Sequence, residues 1–172
     1  MVSKCEFTIR KNKSNHCLLV QVRVLLGLFI FFLILSGVTA LPLIWGIERV
    51  NNIAGEGSWL GDAFEPLAEW VTYVRAGLLE INREQNFMFY GTDWLAFGHI
   101  SIAVFMLGAV RDPVRNVWVV EAAMITCILV IPLALICGPI RGIPFFWQLI
   151  DCSFGVIGII PLWICRKLIG RI

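Results

Sequence analysis

Charge is what this sequence has least of. Asp, Glu, Lys and Arg make up 15% of its 172 residues, whereas a soluble domain carries about 25%. Hydrophobic residues make up 59%, too many to hide in the one core that a chain of this size can build in water. Neither a disordered chain nor a water-soluble globule fits that balance, and a bilayer becomes the natural solvent. The net charge of +2 is too small for a polyanion binder, and no basic stretch interleaved with aromatics offers a nucleic-acid platform.

Catalytic signatures are equally scarce. The chain has no P-loop, H-E-x-x-H pair or G-x-S-x-G elbow, and no carboxylate cluster suited to a metal. Its six cysteines, Cys5, Cys17, Cys127, Cys137, Cys152 and Cys165, include no C-x-x-C pair. Four of these lie in apolar runs, where a thiol acts as a small hydrophobe. The two histidines are His16, in the basic N-terminal arm, and His99, so a haem with two axial imidazoles in one chain is not expected. The sequence therefore predicts no cofactor and no metal. Ser101 and Ser153 lack any motif for intramembrane proteolysis, and no internal repeat suggests alternating access by a single chain.

Long apolar runs take the place of these motifs. The sequence predicts an all-α membrane protein with a four-helix transmembrane bundle, its spans at residues 22–46, 90–110, 118–137 and 145–165. Each is near the roughly 20 residues that cross a hydrocarbon core of about 30 Å. The first run has a rival reading as a signal peptide, because basic residues precede it and Val38-Thr39-Ala40 is an acceptable cleavage site. Its long leader and its continuation through Leu41-Pro42-Leu43-Ile44-Trp45 favour a retained helix. Residues 111–117 and 138–144 read as tight turns, with Asp112 as an N-cap, Pro113 as a first helical residue, Gly138 to end the third span and Pro144 to begin the fourth.

Basic residues set the orientation. Ten of the fourteen lie in the arm up to Arg23, in the 111–117 turn or in the tail at residues 166–172. The positive-inside rule puts those segments, and both termini, in the cytoplasm. The connection at residues 47–89 then lies outside, with seven acidic residues against three arginines. Within it Leu60, Phe64, Leu67, Val71, Val74, Leu78 and Ile81 recur at steps of three and four, predicting an extracytoplasmic amphipathic helix over about 60–84 with a break or start near Pro66. Trp59, Trp70 and Tyr73 suit a membrane interface, and Gly55, Gly57 and Gly61 mark a flexible stretch before the helix.

Ionisable groups inside spans are costly, so they are the candidates for chemistry. His99 lies about seven residues into the second span and Asp151 about seven into the fourth, both roughly 10 Å deep by the helical rise; Pro132 shares that layer. On the fourth span Gln148, Asp151, Gly155 and Gly158 form one stripe. On the second, Gly91, Trp94, Gly98, Ser101, Phe105 and Gly108 form one stripe and Thr92, Ala96, His99, Ala103 and Met106 its neighbour, a broad face expected to point inward. The candidate polar site is His99, Asp151, Gln148 and Arg141, in which a His99–Asp151 pair either carries a proton, binds a polar head group, or glues two helices together. Asp93 and Glu121 are secondary candidates: Asp93 reads as a cap at a helix start, and Glu121 as an ion-pair partner of Arg115 or Arg166.

The segments Tyr90-Gly91-Thr92-Asp93-Trp94-Leu95-Ala96-Phe97-Gly98-His99, Arg111-Asp112-Pro113-Val114-Arg115-Asn116, Gly138-Pro139-Ile140-Arg141-Gly142-Ile143-Pro144 and Gln148-Leu149-Ile150-Asp151-Cys152 resemble a family of small, uncharacterised bacterial integral membrane proteins. The resemblance covers about the C-terminal half. It implies a bacterial inner membrane and no activity. Three functions are compatible with these features: an assembly or accessory component with a protein partner or as a homo-oligomer, a proton-linked or small-solute translocation unit, and an enzyme acting on a lipid or quinone head group.

Overall fold

The computed structural model describes residues 2–172, with side chains from residue 15 onward. Among the described residues, helix is the only regular secondary structure. In chain order the helices are α1 (Val2–Ala40), α2 (Leu43–Ala54), α3 (Trp59–Ala63), α4 (Glu65–Glu84), a single 3₁₀ turn at Asn86–Phe89, α5 (Tyr90–Arg111), α6 (Val117–Ile140) and α7 (Phe145–Ile169).

Four stretches are long and apolar enough to cross a membrane: Asn15–Ala40, Asn86–Arg111, Val117–Ile140 and Phe145–Ile169. With 24 to 26 residues each, they reach about 36 Å or more, beyond the roughly 30 Å of a hydrocarbon core. Only 17 to 22% of their most apolar windows is buried. Phe32, Leu133, Phe154 and Ile157 are all more than 60% exposed. Leaving such side chains in water costs about 1.5–3 kcal/mol each, so hydrocarbon is the solvent that this surface fits.

The chain forms two compact units: Met1–Phe32 with Ala103–Ile172, and Leu33–Ile102. In the first, α6 and α7 make a tight antiparallel hairpin. A Cβ on Gly155 would run into the carbonyl oxygen of Cys127, and one on Gly158 would lie 3.0 Å from the Cys127 sulfur. Glycine at those two positions lets the backbones approach closely, which replaces the hydrophobic driving force that lipid does not supply. Val22, Leu26, Met106, Ala109, Val120, Leu162 and Cys165 are the buried centre of this unit, and the Cys165 thiol donates to the Val22 carbonyl. Arg23 closes the end of α5: its Nε donates to the Val110 carbonyl at 3.1 Å and its Nη2 to that of Arg111 at 3.2 Å, placing a cation on a helix C-terminus.

The α5–α6 turn is built by side chains. Asp112 accepts from the Arg115 amide at 3.0 Å, as expected of a cap, but regular helix starts only at Val117. The Asn116 amide donates to the carbonyls of Gly108 and Asp112, tying the turn to the end of α5.

In the second unit the first span stops at Ala40, short of Gly46, because Pro42 offers no amide to continue the ladder; α2 starts beyond it. Gly37 meets α5 so closely that a Cβ there would lie 2.9 Å from the Ala96 carbonyl oxygen and 3.0 Å from the His99 Cβ. Helix α4 packs against α2 through Arg75, whose Nε and Nη2 both donate to one Glu48 oxygen at 3.1 and 2.9 Å, and through Thr72, whose hydroxyl donates to Asn51 Oδ1 at 3.5 Å and accepts from the Glu56 amide of the loop beyond α2. Ala68 and Val71 are its buried residues, with Leu67, Val74, Leu78 and Ile81 half-buried on the same face. Phe64 does not belong to that face: it lies at the break between α3 and α4, extended at φ −145° and 46% exposed.

Gly55 and Gly61 do not form a flexible stretch. Both are buried, and a Cβ on Gly61 would strike the Gly55 carbonyl oxygen. Ser58 donates to that same carbonyl at 2.7 Å and accepts from the Gly61 amide at 3.1 Å, so the loop is a compact cap for α3. The broad inward face expected of α5 is narrower than its small residues suggested. Ala96, Ala103, Met106 and Ala109 are buried, while Trp94 and Phe105 of the neighbouring stripe are 57% and 72% exposed.

Candidate functional site

The polar candidates near the α6–α7 connection are positioned by the way α6 ends. Gly138 does not stop the helix, which continues through Pro139 to Ile140. Gly142 stops it, at φ +69°, with the Ile143 amide reaching the Gly138 carbonyl at 2.9 Å and the Gly142 amide the Pro139 carbonyl at 3.1 Å. This paired closure satisfies carbonyls that would otherwise be orphaned, and a left-handed residue there favours glycine. Pro144 then caps α7 from the extended region, where its fixed φ is at home.

Gln148 is locked into this corner. It is 4% exposed, its Nε2 donates to the Ile143 carbonyl at 2.7 Å, and its side chain fills the space that a Cβ on Gly138 would need, only 2.7 Å from the Gln148 Cδ. Its role is to pin the turn. Gly138, read as a helix stop, is instead the flat surface that receives Gln148.

One turn further along α7, Asp151 enters a cleft of about 240 Å³ between α6 and α7. Val130, Leu133, Ala134, Cys137, Gly138 and Ile143 wall it with apolar surface, and Arg141 stands at the C-cap end. Asp151 is half-buried. No hydrogen bond or ion pair engages Asp151 or Arg141 side chains among the described residues, although both line one cleft. Val130, Ala134, Cys137 and Arg141 follow at steps of four, three and four, so helical spacing alone marks the α6 side of the cleft. The neighbour that sequence could not assign is Asp151, because the register of α7 on α6 is set by Gly155, Gly158 and Gln148.

His99 and Asp151 belong to different units. The His99 ring is half-buried, and its Nδ1 lies 2.8 Å from the Leu95 carbonyl of its own helix, a contact in which Nδ1–H donates. Gly37 faces it from α1. Asp93 is exposed in the first turn of α5, where a carboxylate is favoured by the helix dipole. Glu121 pairs with Arg166, not Arg115, at 2.5 Å, joining α6 to α7 at the end of the hairpin opposite the cleft.

Two further cations sit over aromatic rings. Arg49 lies 5.1 Å from the Trp45 ring centre and the Lys167 ammonium 3.5 Å from that of Trp163, placements that suit residues at a membrane boundary. Among the described residues no three His, Cys, Asp or Glu side chains gather as a metal site. No protein-family model matches the chain, and no curated protein or solved structure is significantly similar to it.

Proposed function

We propose that this protein is an accessory or assembly subunit of a membrane complex, held in the inner membrane of a bacterium by its four spans. The observation that carries the reading is the use made of polar side chains. Glu121 and Arg166 join two helices, Arg23 closes the end of a third, Gln148 pins a turn, and Glu48 and Arg75 join α2 to α4. These groups hold helices in place, which is what a scaffold requires. In this reading both termini and the α5–α6 turn are cytoplasmic, in keeping with the ten basic residues on those segments. Helices α2 to α4 then stand outside, with exposed Trp45, Trp59 and Tyr73 at the level of the lipid head groups.

Gentle native purification followed by mass spectrometry tests the role. A second protein in fixed proportion is expected, and its release on disrupting the α2–α4 hairpin would identify the docking element. A chain that purifies alone and supports pH-driven flux in liposomes would overturn the proposal in favour of translocation. Sidedness is checked separately by labelling single cysteines placed at Arg115 and Glu80, with only the second expected to react from outside.

A further inference from the structure

The cleft between α6 and α7 joins two unpaired charges of opposite sign to an apolar wall. We propose that it binds a phosphoethanolamine group, with the Arg141 guanidinium on the phosphate and the Asp151 carboxylate on the primary ammonium. The inference rests on the transmembrane reading of α6 and α7 and not on the accessory role.

Three observations lead there. Asp151 stands in a transmembrane helix without a side-chain partner among the described residues, and a carboxylate in such a wall carries its desolvation cost until a counter-charge arrives. Arg141 stands nearer the helix end, where a guanidinium reaches the phosphate level of a bilayer and can grip two oxygens at once. The volume of about 240 Å³ lies below the roughly 300–1,000 Å³ of sites that enclose drug-sized ligands, so the space suits a head group and not a whole quinone. Val130, Leu133 and Ala134 supply the apolar wall for the alkyl part, and Leu133, 61% exposed, continues that surface outward to where an acyl chain lies.

Charge complementarity selects among phosphorylated ligands. A phosphate with no amine satisfies Arg141 and leaves Asp151 facing further negative charge. A quaternary ammonium offers the carboxylate no N–H donor. An ammonium that keeps its N–H groups both neutralises Asp151 and hydrogen-bonds to it, and a primary one offers the most donors.

The test is native mass spectrometry of the delipidated full-length protein in detergent, titrated separately with phosphatidylethanolamine, phosphatidylcholine and phosphatidylglycerol. Phosphatidylethanolamine is expected to bind about tenfold more tightly than the other two, the scale of one charge-assisted hydrogen bond. Asp151→Asn should erase that preference, and Arg141→Gln should weaken phosphatidylethanolamine and phosphatidylglycerol alike. Ala134→Phe keeps both charges but fills the cleft, and should also erase the preference. Competition by soluble glycerophosphoethanolamine would assign recognition to the head group in any setting, and its failure would assign it to the membrane lipid. Equal binding of the three lipids, or a preference that survives Asp151→Asn or Ala134→Phe, would overturn the proposal. No partner subunit enters the assay, so its result is independent of the accessory role.

Discussion

Two helical hairpins in this chain solve the same packing problem with different materials. Helices α6 and α7 meet through Gly155, Gly158 and Gly138, where an added Cβ would crowd the Cys127 carbonyl, the Cys127 sulfur and the Gln148 side chain in turn. Helices α2 and α4 meet through the Glu48–Arg75 pair, the polar contacts of Thr72, and the buried Ala68 and Val71. Gly46 in α2 and Gly77 in α4 have nothing within 4 Å of where a Cβ would stand. On the proposed topology, with α6 and α7 in lipid and α2 and α4 outside it, the difference follows from solvent. In hydrocarbon, burying an apolar side chain gains little, so close van der Waals contact must do the joining; next to water, a burial stripe and partly solvated charges suffice.

The sharpest way to break this contrast is to add volume to the two hairpins. Gly155→Leu should cost about 3 kcal/mol or more, because the obstructing atom is a backbone carbonyl that cannot rotate away. Gly77→Ala should stabilise by about 0.5–1 kcal/mol, as expected for a helical glycine with open space beside it. Reversible unfolding in mixed detergent–SDS micelles measures both, and equal effects would remove the distinction between the hairpins.

Smaller effects sharpen it. Gln148→Leu removes the donor to the Ile143 carbonyl and should cost about 1–3 kcal/mol in the same assay, with α6 and α7 fraying first at their connection as seen by hydrogen exchange. The two ion pairs come last. The Glu48–Arg75 pair is 35–38% exposed, and a double-mutant cycle should return about 0.2–1 kcal/mol that shrinks in high salt. The Glu121–Arg166 pair is more exposed, at 44–45%, but Arg166 stands in a hairpin bordered by lipid. Its cycle should give a similar coupling with weaker salt dependence, and identical salt slopes for the two pairs would argue that both face bulk water.

Much of this fold was legible because the apolar runs are long and the breaks chemically distinct. The four spans follow from run length, and the stripe Gln148, Gly155 and Gly158 follows from spacing. The details that escaped are those in which one residue type serves two purposes. Gly138 was expected to end α6, yet it receives a side chain, and Gly142 takes the left-handed turn. Pro42 lay inside an unbroken apolar run that its missing amide divides. Phe64 kept the helical period while standing outside the helix. Of the candidate site, Arg141 and Asp151 share a cleft and Gln148 has a structural post, whereas His99 turns its Nδ1 to its own helix. Pairings of this kind depend on the register of one helix against another, which intrahelical spacing does not encode.

Arg23 gives the fold an order in time. Its guanidinium closes the end of α5 through the carbonyls of Val110 and Arg111, residues 87 and 88 positions later in the chain. At roughly 5–20 residues per second, a ribosome delivers that partner about 4–18 seconds after Arg23 itself. Throughout that interval Arg23 lacks the two carbonyls to which it donates in the finished fold. Completion of α5 then supplies them, but the N-terminal helix acquires its last neighbour only when α7 has emerged, because Val22 accepts from the Cys165 thiol 143 positions later.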